Sequence, residues 1–194
     1  IQESRQDKDK TIQPGDNHVW ITSGTRSSTA GFGTGFLVAK EILDQISPIE
    51  SGIDNTTWLI WEGERRKLLL GSVYLPRQKG NDNKKAYKEK LDDIHKFVKL
   101  HKIPYVINGD FNGWLGKGIG ENDIIGSMNP PANKNGNVHG PILRDWMTKH
   151  DLFALNGRSV DSSRPTHKSG TVVDYIITGP PSLLITWSFM TMYG

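Results

Sequence analysis

The sequence of 194 residues contains no cysteine, so disulfides, thiolate nucleophiles and cysteine-ligated zinc are excluded. It also lacks an apolar run long enough to span a bilayer, because the stretch from Leu183 to Met192 is short and is interrupted by Thr186 and Ser188. A large excess of one sign of charge is absent as well. The net charge of +3, from 24 basic and 21 acidic residues, permits a nucleic-acid partner without demonstrating one.

Several catalytic motifs are absent too. There is no G-x-S-x-G nucleophile elbow and no H-E-x-x-H zinc motif. Gly31, Gly33 and Gly35 form a GxGxG pattern that lacks the spacing of a dinucleotide-binding loop, and a strand is predicted after it instead of a helix. Binding of a phosphate at a helix N-terminus is therefore not expected there.

The apolar residues that are present are sufficient for a folded core. The chain has six tryptophans and an apolar fraction of 35%, and its length suits one domain. A long helix is predicted at residues 81–101, where Tyr87, Leu91, Ile94 and Val98 form an apolar stripe. A second helix is predicted at residues 141–150. Strands are predicted at residues 34–39, 58–61, 68–75, 105–108, 153–155, 171–178 and 183–190.

The order of these elements predicts the fold class. Strands and helices mix without regular βαβ alternation, which favours an α/β protein with two packed mixed β-sheets flanked by helices. Between the two predicted helices, the polar segment from Gly113 to Gly140 is rich in glycine and asparagine. Loops of this length in compact domains are usually functional, so we expect this one to serve a site.

The segment from Tyr105 to Asn112 (YVINGDFN) carries the first chemical signal. Its strand delivers Asp110 to the carboxyl end, where ligand sites collect in α/β architectures. Gly109 is expected to let the backbone turn tightly, and Asp110 and Asn112 should point the same way if the segment is extended. A carboxylate beside an amide suits a phosphate group with a hard cation nearby. An ordinary Asp/Asn turn after a strand explains these residues equally well.

The segment from Arg164 to Ile177 (RPTHKSGTVVDYII) carries the second signal, since Asp174 lies within an apolar strand pattern. A carboxylate there is costly unless it has a partner. A metal ion, or a histidine whose tautomer it fixes, would be such a partner. The alternative is an acid on the solvent-exposed face of an edge strand.

Two further segments are weak signals by themselves. Glu3 follows Gln2 at the start of the sequence, where an acid is normally uninformative. Tyr74 ends the predicted strand GSVYLP, and a tyrosine at a strand end more often packs than reacts. Neither residue indicates a function without the others.

Taken in order, the four segments resemble the endonuclease/exonuclease/phosphatase superfamily. The motifs of that superfamily occur in the order Q-E, Y-x-P, G-D-F-N, and P-T followed by D-Y-I. This chain matches them in the same order, across nearly its whole length, at Gln2-Glu3, Tyr74-Leu75-Pro76, Gly109 to Asn112, and Pro165-Thr166 with Thr171 to Ile176. The phrases GDFNGW, DLFALNG and RPTH are most similar to the endonuclease domains of non-LTR retrotransposons.

The resemblance implies a four-layer α/β sandwich and a metal-dependent reaction. Glu3 would bind Mg²⁺ or Mn²⁺, since carboxylate oxygens suit a hard cation. Thr166 and Thr171 would shape the contacts with the phosphate and the nucleic-acid strand. The reaction would be hydrolysis of a phosphodiester, with the metal ion stabilising charge that develops on the oxygens.

The resemblance also implies a catalytic role for four residues. Asp110 would orient or activate the attacking water, and Asn112 would hold the scissile phosphate. Tyr74 would support the phosphate or the transition-state charge. Asp174 would align a general-base or electrostatic histidine.

Two parts of the family pattern are missing from this sequence. The family begins with an asparagine-bearing strand upstream of the glutamate, and its site ends with Ser-Asp-His after the strand that carries the equivalent of Asp174. None of the six histidines replaces that histidine, and His167 fits the Pro-Thr loop instead. We therefore expect one domain over residues 1–194 that is incomplete at both ends and is weakly active or inactive.

The expected function is that of a DNA endonuclease domain from a retrotransposon-type protein. The expected partner is DNA, with neither a membrane nor an obligate protein partner. The expected location is intracellular, with the nucleus as one option. Two alternatives remain open. The same fold could act on phosphoinositides or sphingolipids, because fold does not set substrate. It could also persist as a nucleic-acid-binding module that has lost its chemistry.

Overall fold

A computed structural model describes residues 10–14, 17–23, 33–75, 83–119, 123–130, 137–158, 164–167 and 170–179. Glu3, Pro76 and the predicted strand at residues 183–190 lie outside these ranges. The chain divides into two compact units. The first unit comprises Ile1–Leu75 with Asp93–Asp110, and the second comprises Pro76–Asp92 with Phe111–Gly194.

The first unit contains a three-stranded antiparallel sheet in the order β1-β2-β3. Strand β1 is Lys10–Pro14, β2 is His18–Ser23 and β3 is Thr34–Ala39. The predicted strand at residues 34–39 is confirmed, whereas β1 and β2 were not predicted. A 3-10 helix at Lys40–Gln45 follows β3 directly.

A second, mixed sheet of the first unit runs in the order β4-β5-β6-β7. Its strands are Ile46–Ile49 (β4), Thr56–Glu62 (β5), Lys67–Tyr74 (β6) and Tyr105–Asp110 (β7). Neighbours from β4 to β6 are antiparallel, and β6 pairs with β7 in parallel. The predicted hairpin and the strand before Asp110 are confirmed.

The two sheets pack against each other inside the first unit. Val19, Ile21 and Val38 of the three-stranded sheet form a buried cluster with Leu59 of β5. Nearby, the hydroxyl of Thr57 donates to the carbonyl oxygen of Thr34 at 2.8 Å, which gives a buried polar group the partner it requires. The core of this unit therefore lies between the sheets.

Helix α1 spans Asn83–His101, close to its predicted bounds. Its predicted apolar stripe is buried throughout, with no member more than 5% exposed: Tyr87, Leu91, Ile94 and Val98. In the first unit, the ring of Phe97 lies 4.9 Å from that of Trp58, which precedes Leu59 on β5 and so points to the opposite face of the sheet. The predicted α/β class, with two packed sheets flanked by helix, is confirmed.

The second unit has less regular structure. Helix α2 spans His139–Lys149, and strand β8 at Phe153–Ala154 pairs antiparallel with β9 at Asp174–Gly179. The described residues from Phe111 to Val138 form neither helix nor strand, as predicted for a long loop. No described helix has the length and apolar composition needed to cross a membrane.

Candidate functional site

In the first unit, the structure brings Tyr74 and Asp110 to neighbouring positions. They are register partners at the carboxyl ends of the parallel strands β6 and β7. The backbone amide of Leu75 donates to the carbonyl oxygen of Asp110 at 2.9 Å, and that of Tyr74 donates to the carbonyl oxygen of Asn55 at 3.0 Å. Tyr74 is buried and Asp110 is partly exposed, so the carboxylate can meet a ligand from solvent.

Gly109 has a different role from the predicted one. It lies inside β7 and is not among the residues with positive φ, so the prediction of a tight turn there is wrong. A Cβ atom at this position would approach the carbonyl oxygen of Val73 closer than 3.0 Å. Gly109 is needed because β6 and β7 approach closely just before Asp110.

In the second unit, Asn112 has a left-handed backbone conformation, with φ of 48°. The extended backbone that was predicted for this segment is not present at Asn112, because the chain turns there. Asparagine tolerates this conformation better than most residues. The carbonyl oxygen of Asn112 accepts a hydrogen bond from the side-chain Nδ2 of Asn137 at 2.6 Å.

Asn137 makes three hydrogen bonds to the backbone with one side chain. Besides the bond to Asn112, its Oδ1 accepts from the amides of Trp114 at 3.2 Å and Gly140 at 2.9 Å. The amide of Gly140 belongs to the first turn of α2, where backbone donors lack partners within the helix. Sequence reasoning did not identify Asn137, since nothing in a Gly/Asn-rich loop marks one asparagine among several.

Phe111 connects the segments of Asn112 and Asp174 within the second unit. Its amide donates to the carbonyl oxygen of Val173 at 2.9 Å, and its carbonyl oxygen accepts from the hydroxyl of Tyr87 at 2.7 Å. Val173 immediately precedes Asp174, and Phe111 immediately precedes Asn112. One backbone hydrogen bond therefore lies beside both predicted site residues.

The predicted phosphate-binding residues Thr166 and Thr171 form a turn that supports Asp174. The hydroxyl oxygen of Thr166 accepts from the amides of Val173 at 3.1 Å and Asp174 at 3.2 Å. The carbonyl oxygen of Thr171 accepts from the amide of Thr166 at 3.1 Å. Thr166 is exposed, whereas Thr171 is only 4% exposed. The predicted contacts with phosphate stay a prediction.

Asp174 is the first residue of β9, and not an interior strand residue as its apolar flanks indicated. Its side chain is partly exposed. The side-chain Nδ2 of Asn156 donates to the carbonyl oxygen of Asp174, and its Oδ1 accepts from the amide of Ile176, both at 3.0 Å. Asn156 thus continues the pairing of the short strand β8 with a side chain. Sequence reasoning did not identify Asn156 either.

An ionic cluster fixes the loop of the second unit. The carboxylate of Asp123 accepts from the amides of Ile119 and Ile124, and from the guanidinium of Arg144 at 3.1 Å. Burial alone would raise the pKa of Asp123, but these donors outweigh it and lower the pKa below its ordinary value. Arg158 donates to the carbonyl oxygen of Asp123 at 2.7 Å. Burial lowers the pKa of Arg158, and the charge of Asp123 opposes that shift.

The carboxylate oxygens of the predicted site suit a hard cation, although the predicted ligand Glu3 lies outside the described residues. Within the described ranges, no group of three or more histidine, aspartate or glutamate side chains is placed to hold a metal ion. Asp110 in the first unit and Asp174 in the second are partly exposed carboxylates, the ligand type that Mg²⁺ prefers.

No protein-family model and no curated protein sequence matches this chain. Solved structures do match it. The endonuclease domain of TRAS1, a telomere-specific non-LTR retrotransposon, superposes with a TM-score of 0.55 at 14% identity, covering 84% of this chain and 68% of that domain. A mannosyl-6-phosphatase from Bacteroides thetaiotaomicron gives 0.51 at 13% identity, covering 85% and 64%. An endonuclease/exonuclease/phosphatase family protein from the same bacterium gives 0.50 at 12% identity, covering 84% and 62%.

This chain has the endonuclease/exonuclease/phosphatase fold. The resemblance inferred from the four sequence segments is thereby confirmed at the level of the fold. The structures that share the fold include an endonuclease and a sugar phosphatase, so the endonuclease/exonuclease/phosphatase fold by itself does not fix the substrate of this chain.

Proposed function

We propose that this chain is a metal-dependent phosphodiester hydrolase that acts on DNA. The observation that carries the proposal is the register of β6 and β7, which ends both strands at Tyr74 and Asp110 within an endonuclease/exonuclease/phosphatase fold. Ligand sites of α/β proteins lie at the carboxyl ends of parallel strands. A tyrosine hydroxyl and a carboxylate there supply a donor and a proton acceptor for hydrolysis.

The proposed roles follow the chemistry of each side chain. Asp110, partly exposed, accepts a proton from the attacking water and orients it. The side-chain amide of Asn112 donates a hydrogen bond to a phosphate oxygen. The hydroxyl of Tyr74 donates a hydrogen bond to the oxygen on which negative charge develops in the transition state. Asp174 would orient the imidazole of a histidine, a role that carboxylates commonly fill, although none of the six histidines of this sequence takes that place.

Magnesium or manganese is the proposed cofactor, with Glu3 as a ligand. When bound, the ion would stabilise negative charge on the phosphate oxygens. The carboxylate of Glu3 would supply an oxygen donor of the hard type that such an ion requires. Removal of divalent ions with a chelator is therefore expected to abolish cleavage, and Glu3→Gln is expected to raise the Mg²⁺ concentration needed for half-maximal rate.

DNA is proposed as the substrate because of two similarities. The phrases GDFNGW, DLFALNG and RPTH resemble retrotransposon endonucleases, and the TRAS1 domain that shares the fold is an endonuclease domain. Charge adds little support. Exposed lysines of α1 face acids on the same helix, as in the ion pairs of Lys85 with Glu89 and Lys96 with Asp93.

The test is cleavage of supercoiled plasmid DNA with Mg²⁺, by the wild-type chain, by Asp110→Asn and by Asp54→Asn. Asp54 is an exposed turn residue of the same unit and serves as the matched control. We expect weak metal-dependent nicking that Asp110→Asn removes and Asp54→Asn keeps. Nicking that survives Asp110→Asn would contradict the proposed site.

Parallel assays separate the other functions. Release of phosphate or head groups from phosphoinositides or sphingomyelin, without DNA cleavage, would keep the hydrolase and reject the DNA substrate. DNA binding with a steep salt dependence and no cleavage would identify a non-catalytic binding module and reject the enzyme.

A further inference from the structure

Three asparagine side chains of the second unit donate to backbone carbonyl oxygens, two in loops and one at the start of a strand. Asn129 donates to Gly116 at 2.7 Å, Asn137 to Asn112 at 2.6 Å, and Asn156 to Asp174 at 3.0 Å. Two of the three accepting residues belong to the proposed site. The third, Gly116, does not.

We propose that Asn137 and Asn156 are positioning residues, which fix the backbones of Asn112 and Asp174 for hydrolysis. The proposal rests on the function proposed for this chain. Each asparagine acts through the main chain of one site residue and needs no contact with substrate. Asn129 makes the same kind of bond without a site residue at its end, so it is a matched control.

The case for Asn137 rests on the left-handed conformation that it holds in place. Asn112 has φ of 48°, a region that asparagine adopts more readily than most residues but that is not its preferred one. Asn137 donates to the carbonyl oxygen of Asn112, and its Oδ1 accepts from Trp114 and Gly140. The Asn137 amide therefore ties Asn112 to the first turn of α2. Without the Nδ2 bond, Asn112 can relax and its side chain turns away from the direction that it has in the structure.

The case for Asn156 rests on the shortness of β8. That strand has two residues, whose register partners on β9 are Thr178 and Ile177, and the amide of Leu155 extends the pairing to the carbonyl oxygen of Ile176 at 2.8 Å. The first residues of β9 lie beyond the end of β8. The amide of Asn156 supplies one acceptor and one donor to this stretch, at Ile176 and Asp174. It substitutes for a further strand residue and keeps Asp174 in the alignment of β9.

The first experiment compares Asn137→Ala, Asn156→Ala and Asn129→Ala for Mg²⁺-dependent cleavage of a DNA oligonucleotide. A misplacement of a reacting group by about 1 Å costs about 10²-fold. We expect kcat to fall about 10- to 100-fold in the first two variants, with KM within about threefold of the wild-type value. Asn129→Ala should keep kcat within about threefold, although its Tm falls comparably. Equal kcat losses in all three variants would overturn the proposal, because loss of stability alone would then explain them.

Asn137→Asp separates the donor from the acceptor. An aspartate retains an oxygen for the amides of Trp114 and Gly140 but directs an oxygen at the carbonyl oxygen of Asn112. We expect the kcat of Asn137→Asp to fall as far as that of Asn137→Ala, while hydrogen exchange of the Trp114 and Gly140 amides stays as slow as in wild type. A kcat near the wild-type value would show that the bond to Asn112 does not matter.

A readout without cleavage distinguishes failure of this inference from failure of the proposed function. The coupling between the amide proton and Hα of Asn112 reports its φ by NMR, whatever the protein hydrolyses. We expect this coupling to change in Asn137→Ala and in Asn137→Asp, and to stay unchanged in Asn129→Ala. An unchanged coupling in both Asn137 variants would reject the positioning role itself, whether or not the wild-type chain cleaves DNA.

Discussion

The two units hold their proposed site residues by different means. In the first unit, Tyr74 and Asp110 occupy register positions of two parallel strands, so the sheet itself places them. In the second unit, Asn112 and Asp174 lie at a turn and at the start of a strand, and side chains such as Asn137 hold their backbones. The first arrangement depends on steric fit between strands, and the second depends on individual polar bonds.

This difference predicts which substitutions destabilise each unit. A sheet that is closely paired tolerates loss of a surface charge but not an added atom between strands. An irregular segment is destabilised when a side chain that hydrogen-bonds to its backbone is removed or loses its charge. The buried backbone groups of the segment would then lose their partners. Substitutions that test stability should therefore add a side-chain atom in the first unit and remove a polar or charged group in the second.

The largest effect is expected when chemistry is removed and the fold is kept. Asp110→Asn retains the size of the side chain on a partly exposed strand end, so we expect the free energy of unfolding to change by less than about 1 kcal/mol. The rate of DNA cleavage should fall about 10³-fold, the usual range for loss of a general base. Single-turnover cleavage and urea unfolding of the same preparations measure the two effects. A large loss of stability would show that Asp110 has a structural role in the sheet.

The next largest effect should be steric. Gly109→Ala places a Cβ atom against the carbonyl oxygen of Val73 inside the β6–β7 pair, and we expect a loss of about 3 kcal/mol in the free energy of unfolding. Gly52→Ala is the matched control. Gly52 has φ of 69° but nothing within 4 Å of an added Cβ, so only backbone strain of about 1 kcal/mol is expected. Equal midpoints of urea unfolding for the two variants would mean that β6 and β7 can separate at little cost.

A polar counterpart exists in the second unit, at Asp123. Its folded pKa is lowered, so the stabilisation is present above the unfolded value of about 3.9 and is lost as the pH falls through the folded pKa. Asp123→Asn should cost about 2 kcal/mol at pH 7, typical of hydrogen bonds to a charged group. Asp145→Asn, on the exposed side of α2, should cost much less.

The pH dependence gives the sharper test of Asp123. Urea unfolding of wild type and Asp123→Asn from pH 7 to about pH 2 should show a difference that shrinks below about pH 4. A difference in stability that stays constant with pH would mean that Asp123→Asn removes packing or neutral hydrogen bonds, and not an interaction of the charged carboxylate.

Elements with strong periodicity could be predicted from sequence. The stripe from Tyr87 to Val98 and the hairpin before Tyr74 place apolar residues at helix and strand spacing, and both are present. Strand β4 has four residues and contains Pro48, and β1 has five residues and ends at Pro14. Their patterns are therefore too brief, or too interrupted by proline, to be separated from loops. Strand β2 has six residues, as many as the predicted β3, so its length does not explain why it was missed.

The site was predictable in its residue types but not in its geometry. Asp110 at a strand end follows from the apolar residues before it, but the role of Gly109 depends on a strand that is distant in sequence. The left-handed turn at Asn112 and the hydrogen bonds of Asn137 and Asn156 depend on tertiary contacts of a loop without periodicity. Local patterns carry no record of such contacts.

The smallest expected effect concerns Thr166, and it tests whether the second unit is held by single bonds. Thr166→Val keeps the shape of the side chain but removes the oxygen that accepts from Val173 and Asp174, whereas Thr166→Ser keeps that oxygen. We expect Thr166→Val to lose about 1 kcal/mol of stability and Thr166→Ser less. Faster hydrogen exchange at the amide of Asp174 should accompany a severalfold fall in kcat without a change in KM. If KM rises instead while that amide stays protected, Thr166 contacts the phosphate directly, as the sequence resemblance implied, and does not act through Asp174.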